Sequence, residues 1–157
     1  MSQEERYGTR DLTYSAWHRR NSTRRFVGIE HAQLLAQIDI DVAVYVEYDD
    51  ETKEPLALVE TAKDIGQNYK CATVTRNLAR RAGLEAFIVL YTPSPKENPA
   101  APDWPDIEMF RVKRICPDES GWKEVRPDTW AKCLLNIRKR GSAKLDEEWE
   151  KEHGEIF

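Results

Sequence analysis

The chain has 157 residues, a formal net charge of −4 and an apolar fraction of 40%. A chain of this length most simply forms one domain with its own core, and no apolar run approaches the roughly 20 residues of a membrane-spanning helix. The first ten residues lack an apolar signal region. We therefore expect a cytoplasmic protein with no membrane partner. The isolated cysteines Cys71, Cys116 and Cys133 predict buried thiols rather than a structural zinc site.

The negative charge is concentrated at one end of the chain. Residues 141–157 contain two lysines and six acidic residues, so residues 1–140 are neutral overall. We divide the chain into a single α/β domain, 1–140, and an acidic C-terminal tail, 141–157, for which a charged helix and a mobile segment both remain open. Arginine clusters within 1–140 can contact phosphates, but solvated helix faces carry the same clusters.

The first elements in chain order are two helices. Tyr14 begins a short helix over 14–20, after which Ser22 or Thr23 makes a polar break. The segment 29–37, IEHAQLLAQ, has apolar residues along one side and predicts the second helix.

A β-hairpin over 38–63 follows. Alternating residues 42–48 form its first strand, polar residues 49–54 form its turn, and Pro55 opens an apolar second strand that ends at Glu60. If Tyr48 pairs with Pro55, Asp41 and Glu60 become diagonal neighbours on one face, roughly 7–8 Å apart at the backbone.

Two carboxylates at that separation could share one Mg²⁺ or Mn²⁺ ion, since these ions take one or two carboxylates and keep several waters. A one-residue change of register would instead put Asp41 and Glu60 on opposite faces. They would then be acids at strand ends that face water, and the pattern alone leaves both arrangements open.

The second half of the chain predicts a strand-helix-strand unit and its extension. A helix over 69–82 ends at Gly83, and the apolar run 86–91 predicts a strand buried on both faces and parallel to the hairpin's second strand. A proline-rich loop over 92–106 leads to an edge-type strand over 107–115, and a last helix runs from Pro127 to Gly141. The apolar stripe of the helix 69–82 is predicted at Cys71, Val74, Leu78 and Ala82, with Arg76, Arg80 and Arg81 facing away.

The order helix, hairpin, helix, strand, with acids at the ends of the hairpin, resembles the PD-(D/E)xK nuclease superfamily over residues 13–91. The resemblance implies a restriction-endonuclease-like core, that is, a central mixed β-sheet flanked by helices, which the strand and helix of 107–140 extend. More narrowly, the segments YSAWHR (14–19), IDID (38–41) and LVE (58–60) are similar to small phage and prophage proteins without an assigned function. A phage origin would place the protein in the host cytoplasm.

The resemblance implies metal-dependent hydrolysis of DNA. Asp41, with Asp39 as the alternate, and Glu60 would hold Mg²⁺ or Mn²⁺. Ala62 occupies the usual lysine position, so Lys63 or Lys70 would take the role of that lysine. Gln67 lies near Lys70 in the sequence and could position water, and Arg76 and Arg80, exposed on the predicted helix beside the hairpin, are candidate contacts to the DNA backbone. Many nucleases of this class are dimers, so the resemblance also suggests a homodimer.

The departure at Ala62 and the neutral body favour an alternative function. In it, the chain is a catalytically inactive nuclease-fold protein that binds nucleic acid or binds and inhibits a host defence protein. The acidic tail would suit a basic protein partner. A structural or assembly role has no positive feature beyond the proline-rich loop.

Overall fold

In a computed structural model, the chain is described at residue 11 and over residues 13–19 and 22–153. By its internal packing it divides into two compact units, Met1–Asp39 and Ile40–Phe157. Across the described ranges, none of the helices combines the length and the apolar character needed to cross a membrane.

The first unit contains helices α1 (Thr13–Arg19) and α2 (Arg24–Ala32), and α2 is interrupted at Gly28, whose φ is 82°. The prediction of a helix over 29–37 was wrong at both ends. The helical turn already begins at Thr23, whose carbonyl accepts hydrogen bonds from the next turn. Beyond Ala32, the carbonyl of Leu35 bonds to the His18 ring at 2.7 Å, and the chain no longer forms a helix.

The second unit is built on a five-stranded sheet in which the strands lie side by side in chain order. The strands are β1 (Val42–Glu47), β2 (Lys53–Lys63), β3 (Glu85–Pro93), β4 (Ile107–Cys116) and β5 (Lys123–Val125). Strands β2 and β3 are parallel and the other neighbours are antiparallel. Helix α3 (Thr73–Ala82) connects β2 to β3, and helix α4 (Pro127–His153) follows β5. The predicted α/β class, with a mixed sheet flanked by helices, is confirmed.

Both faces of the sheet are buried at its centre, because α3 packs on one face and α4 on the other. Successive residues of a strand point to opposite faces. Leu58 and Ile88 pack with Ala79 of α3 on one face. Val59 and Val89 belong to a second cluster, which contains Trp130 and Ile137 of α4 on the other face. The run 86–91 is therefore a parallel strand buried on both faces, as its continuous apolar sequence predicts.

The register of the hairpin differs from the predicted one. Val42 pairs with Val59, two residues away from the expected alignment, and Pro55 pairs with Tyr45 rather than with Tyr48. Leu56 is the extra residue of a β-bulge at this point. Near Asp41 and Glu60 the shift amounts to two residues, an even number, so it leaves the faces of the side chains unchanged. Strand β2 also continues to Lys63, which places Glu60 within the strand rather than at its end.

Two predictions in the C-terminal half were wrong. Strand β4 is not an edge, because β5 pairs with it; a three-residue strand is too short to show an alternating pattern. Helix α4 does not stop at Gly141 but continues to His153. An ideal Cβ at Gly141 would lie 2.9 Å from the Cβ of Leu56. The glycine therefore permits close packing of α4 against the bulge in β2 and does not end the helix.

Candidate active site

Three charged side chains meet beside the α3-facing side of β2. The Nζ of Lys70 lies 3.2 Å from Oδ2 of Asp41 and 3.1 Å from Oε2 of Glu60. These residues come from the segment before β1, the middle of β2 and the segment before α3. One ammonium group is therefore shared by two carboxylates that are 19 positions apart in the sequence.

Glu60 is the buried member of this group, with 4% of its surface exposed. Its Oε1 accepts a hydrogen bond from the hydroxyl of Thr75 at 2.5 Å, and its Oε2 faces Lys70. A buried carboxylate is costly unless it is paired and hydrogen-bonded. Thr75 and Lys70 together supply those partners, which explains how an acid can occupy the centre of an otherwise apolar strand.

Asp41 lies just before β1. Its Oδ2 accepts one hydrogen bond from the backbone amide of Thr61 at 2.8 Å and another from the ammonium group of Lys70. Partial burial raises the pKa of the Asp41 carboxyl. The hydrogen bonds that it accepts, first that from the Thr61 amide, and the charge of Lys70 outweigh this effect, so the pKa falls below its ordinary value. Asp41 is thus held as a carboxylate beside strand β2.

Lys70 is positioned by an irregular segment, not by a helix. The prediction that a helix begins at residue 69 was wrong, because α3 begins only at Thr73. Burial lowers the pKa of the Lys70 amine, but the hydrogen bonds and charges of Glu60 and Asp41 raise it above its ordinary value. The amine therefore remains an ammonium group between the two carboxylates.

The loop that carries Lys70 is fastened to strand β4. Arg111 binds both carboxylate oxygens of Asp64, at 2.7 Å and 2.8 Å, and donates to the backbone carbonyl of Gln67 at 2.5 Å. The indole N–H of Trp122 donates to the carbonyl of Asn68 at 3.1 Å. These bonds fix the backbone immediately before Lys70.

The Asp64–Arg111 pair should make stability depend on pH. The hydrogen bonds from Arg111, with that from the Gly66 amide, lower the pKa of Asp64 from 3.8 to about 2. Because the folded-state pKa is depressed, the stabilisation is complete above about pH 4 and is lost as the pH falls through about 2. Thermal melts from pH 7 to pH 2 should show this loss in the wild type.

Asp64→Asn should remove this part of the pH dependence and lower the free energy of unfolding at pH 7 by about 1.5–3 kcal/mol, the usual contribution of hydrogen bonds to charged groups. Asp118→Asn is the control, since Asp118 also pairs with an arginine but its side chain is 74% exposed. Equal effects of the two substitutions would contradict a special role for Asp64.

The face that helix α3 turns to the sheet is offset by one residue, about 100° around the helix, from the predicted face. Val74 and Leu78 are 53% and 44% exposed, whereas Thr75 and Ala79 are fully buried. Small residues at these positions let the helix approach β2 closely enough for Thr75 to reach Glu60. Sequence reasoning missed Thr75, although its spacing from Ala72 and Ala79 is helical and the buried Glu60 needs a donor.

Thr75→Val should destabilise the fold by about 1–3 kcal/mol, because it removes the donor to a buried oxygen while keeping the side-chain volume. Thr75→Ser retains the hydroxyl and should recover most of this loss. Urea unfolding of both variants measures the difference. If valine and serine are equally destabilising, the hydroxyl is not what stabilises Glu60.

The remaining candidate residues lie elsewhere in the structure. Lys63 is exposed at the end of β2, and its odd spacing from Glu60 places it on the other face. The amide of Gln67 bonds to the backbone of its own loop, at Lys63 and Ile65. Asp39 is exposed and belongs to the first unit. Arg76 and Arg80 are exposed on α3.

Of the three cysteines, only Cys116 is fully buried. Cys133 is half-buried, and the prediction of a buried thiol at Cys71 was wrong because that side chain is exposed.

Arg76 lines a small cavity together with Lys70, Lys113 and Tyr69. Glu119 also lines this cavity and pairs with Lys113 at 3.5 Å, so the positive charge beside Lys70 comes from Arg76.

The donor set fits a divalent cation. Asp41 Oδ2 and Glu60 Oε2 already face one cation, the Lys70 ammonium group. Two carboxylate oxygens with the other positions left to water and phosphate suit Mg²⁺ or Mn²⁺. Within the described residues, no group of three or more His, Cys, Asp or Glu side chains could hold a metal ion. Coordination by protein would therefore rest on these two carboxylates.

Comparisons of the chain with protein-family models, with curated proteins and with solved structures find no match.

Proposed function

We propose that the chain is a metal-dependent nuclease with a restriction-endonuclease-like core that hydrolyses phosphodiester bonds of DNA. The observation that supports this proposal best is the convergence of Asp41, Glu60 and Lys70, with both acid–amine distances near 3 Å. Two acids and one lysine beside the sheet are the groups that this chemistry needs. Lys70 reaches them from the following loop, which compensates for the alanine at position 62.

Asp41 and Glu60 would hold the divalent ion through the oxygens that now face Lys70. When bound, the ion would polarise the phosphate and lower the pKa of a water molecule beside it. Lys70, released from the carboxylates, would lie next to the phosphate and stabilise the negative charge that develops on it. Arg76, on the surface beside Lys70, would contact a neighbouring phosphate of the strand.

The test is calorimetric titration of Mn²⁺ together with a cleavage screen on single- and double-stranded DNA. Asp41→Asn should lose Mn²⁺ binding and cleavage, whereas Asp39→Asn, a matched substitution two residues earlier, should retain both. If Asp39→Asn, and not Asp41→Asn, loses Mn²⁺ binding, the metal ligand is Asp39 instead of Asp41. Wild-type protein that neither binds Mn²⁺ nor cuts DNA would contradict the nuclease function.

A second candidate function is that of a catalytically inactive nuclease-fold protein that binds a host protein. It is supported by apolar side chains that face outward on and beside α3, namely Tyr69, Val74 and Leu78. In this case the Lys70 ammonium group would be the permanent counterion of the two acids. The Mn²⁺ titration separates the candidates, because only the nuclease requires the metal.

A further inference from the structure

A cavity of about 480 Å³ lies beyond the C-terminal end of α3, away from Lys70. It is bounded by the end of α3, the bulge of β2, the start of β3, the end of β4 and the middle of α4. Its apolar lining includes Leu56, Ala79 and Cys116, which are all buried, and the half-buried Leu84 and Leu145. The volume falls within the range of about 300–1,000 Å³ that is typical of small-molecule sites.

The polar lining of this cavity carries an excess of positive charge. Four basic side chains line it, against two acidic ones. An apolar lining with a net positive charge suits a ligand that combines an apolar body with an acidic group. The charged lining residues are Arg80, Arg114, Arg140, Lys144, Glu85 and Glu148.

Three of the four cations already have partners. Arg140 pairs with Glu85 at 3.0 Å, Arg114 pairs with Asp118 at 2.9 Å, and Lys144 donates to the carbonyl of Gly83. Among the described residues, no hydrogen bond or ion pair involves the guanidinium group of Arg80, whose backbone carbonyl accepts the Gly83 amide. Its guanidinium group is therefore the cation that can bind an acid without breaking an existing contact.

We propose that this cavity is a binding site for a small amphipathic anion, that is, an aromatic or alkyl acid whose apolar body covers Leu56 and whose acidic group binds Arg80. The apolar lining provides little for a free inorganic anion, and the excess of basic side chains disfavours a cation. The cavity includes neither Asp41 nor Glu60 nor Lys70, so the proposal does not depend on the nuclease function.

The test uses two fluorescent probes of matched shape. Anilinonaphthalene sulfonate carries an acidic group, and phenyl-naphthylamine is the same ring system without it. We expect the sulfonate to bind the folded protein with saturable one-to-one stoichiometry. The neutral probe should bind about three- to tenfold more weakly, because it lacks the charged hydrogen bond to Arg80, which solvent screens at this exposed side chain.

Two pairs of variants locate the site. Arg80→Gln should lower the affinity for the sulfonate to that for the neutral probe, and Arg81→Gln, at the adjacent helix position outside the cavity, should not. Ala82→Phe should fill the cavity and weaken the binding of both probes. Ala143→Phe, at an exposed position of α4 outside the cavity, should leave the affinity for both probes unchanged.

Circular dichroism verifies that the variants are folded. Equal effects of Arg80→Gln and Arg81→Gln would overturn the assignment of Arg80 as the anion ligand. Binding that does not saturate, or that persists unchanged in folded Ala82→Phe protein, would overturn the site itself. Mn²⁺ binding, measured in parallel, reports separately on the carboxylate pair and distinguishes failure of this proposal from failure of the nuclease function.

Discussion

Glu60→Gln should abolish Mn²⁺ binding and lower DNA cleavage by more than the roughly 10–100-fold that loss of a metal's outer-shell partner costs. Glutamine keeps the size of the side chain and can still accept the hydrogen bond from Thr75, so the substitution removes mainly the negative charge that faces Lys70. Calorimetry and initial cleavage rates on the same protein preparation measure the two effects.

The matched control for this substitution is Glu54→Gln, since Glu54 lies in the same strand but is exposed. It should leave Mn²⁺ binding and cleavage unchanged. Circular dichroism and a urea titration separate loss of the site from loss of the fold. Undiminished cutting by folded Glu60→Gln protein would remove Glu60 from the mechanism.

Lys70→Met should change metal affinity and cleavage in opposite directions. Without the ammonium group, nothing competes with Mn²⁺ for Asp41 Oδ2 and Glu60 Oε2, so the affinity for Mn²⁺ should rise. Cleavage should fall by about 10²–10³-fold, the usual effect of removing one group that stabilises charge in a transition state. Methionine retains most of the aliphatic side chain, so packing should change little.

The metal-free Lys70→Met protein should also be less stable than the wild type, because two carboxylates then lie close together without a counterion. Added Mn²⁺ should restore its melting temperature. Lys63→Met is the control, since Lys63 lies on the opposite face of β2, and it should behave like the wild type. The reverse result, with Lys63 essential and Lys70 dispensable, would contradict the proposed role of Lys70.

The alternative function leads to a different result for the same variant. If the protein is an inactive binding module, wild-type cleavage is absent and Lys70→Met has no rate to lower. Substitution of the exposed Val74 and Leu78 by serine should then weaken partner binding without changing Mn²⁺ affinity. The two functions thus depend on different side chains of the same region.

The α/β class was readable from the sequence because its signals are local. The run 86–91 is apolar throughout and borders a helix stop at Gly83, which predicts a strand buried on both faces. The parallel pairing of β2 with β3 then follows, because a connection through a helix returns the chain in the same direction. Gly83 indeed has a left-handed φ of 70° and ends α3.

The register of the hairpin was not readable in the same way. Alternating residues in β1 fit several alignments that differ by two positions, since each puts the same side chains on the same face. At the turn, Pro55 pairs three residues away from its predicted partner, and the extra residue at Leu56 reduces this shift to two, so that the faces match again. The bulge accompanies close packing of β2 against Gly141 in a helix that is distant in the sequence. Such contacts leave no local pattern.

The sequence by itself determined which acids could form a site, because Asp41 and Glu60 interrupt an otherwise apolar hairpin, but it left open whether the two side chains share a face. Only the tertiary structure decided which lysine joins them. Lys63 is closer to Glu60 along the chain, but strand alternation turns it away, whereas the Asp64–Arg111 pair holds the loop that brings Lys70 within 3.2 Å of both acids. Only the tertiary structure showed the role of Thr75 as well, since α3 packs on the sheet with the face that carries the donor to Glu60 and leaves Val74 and Leu78 exposed.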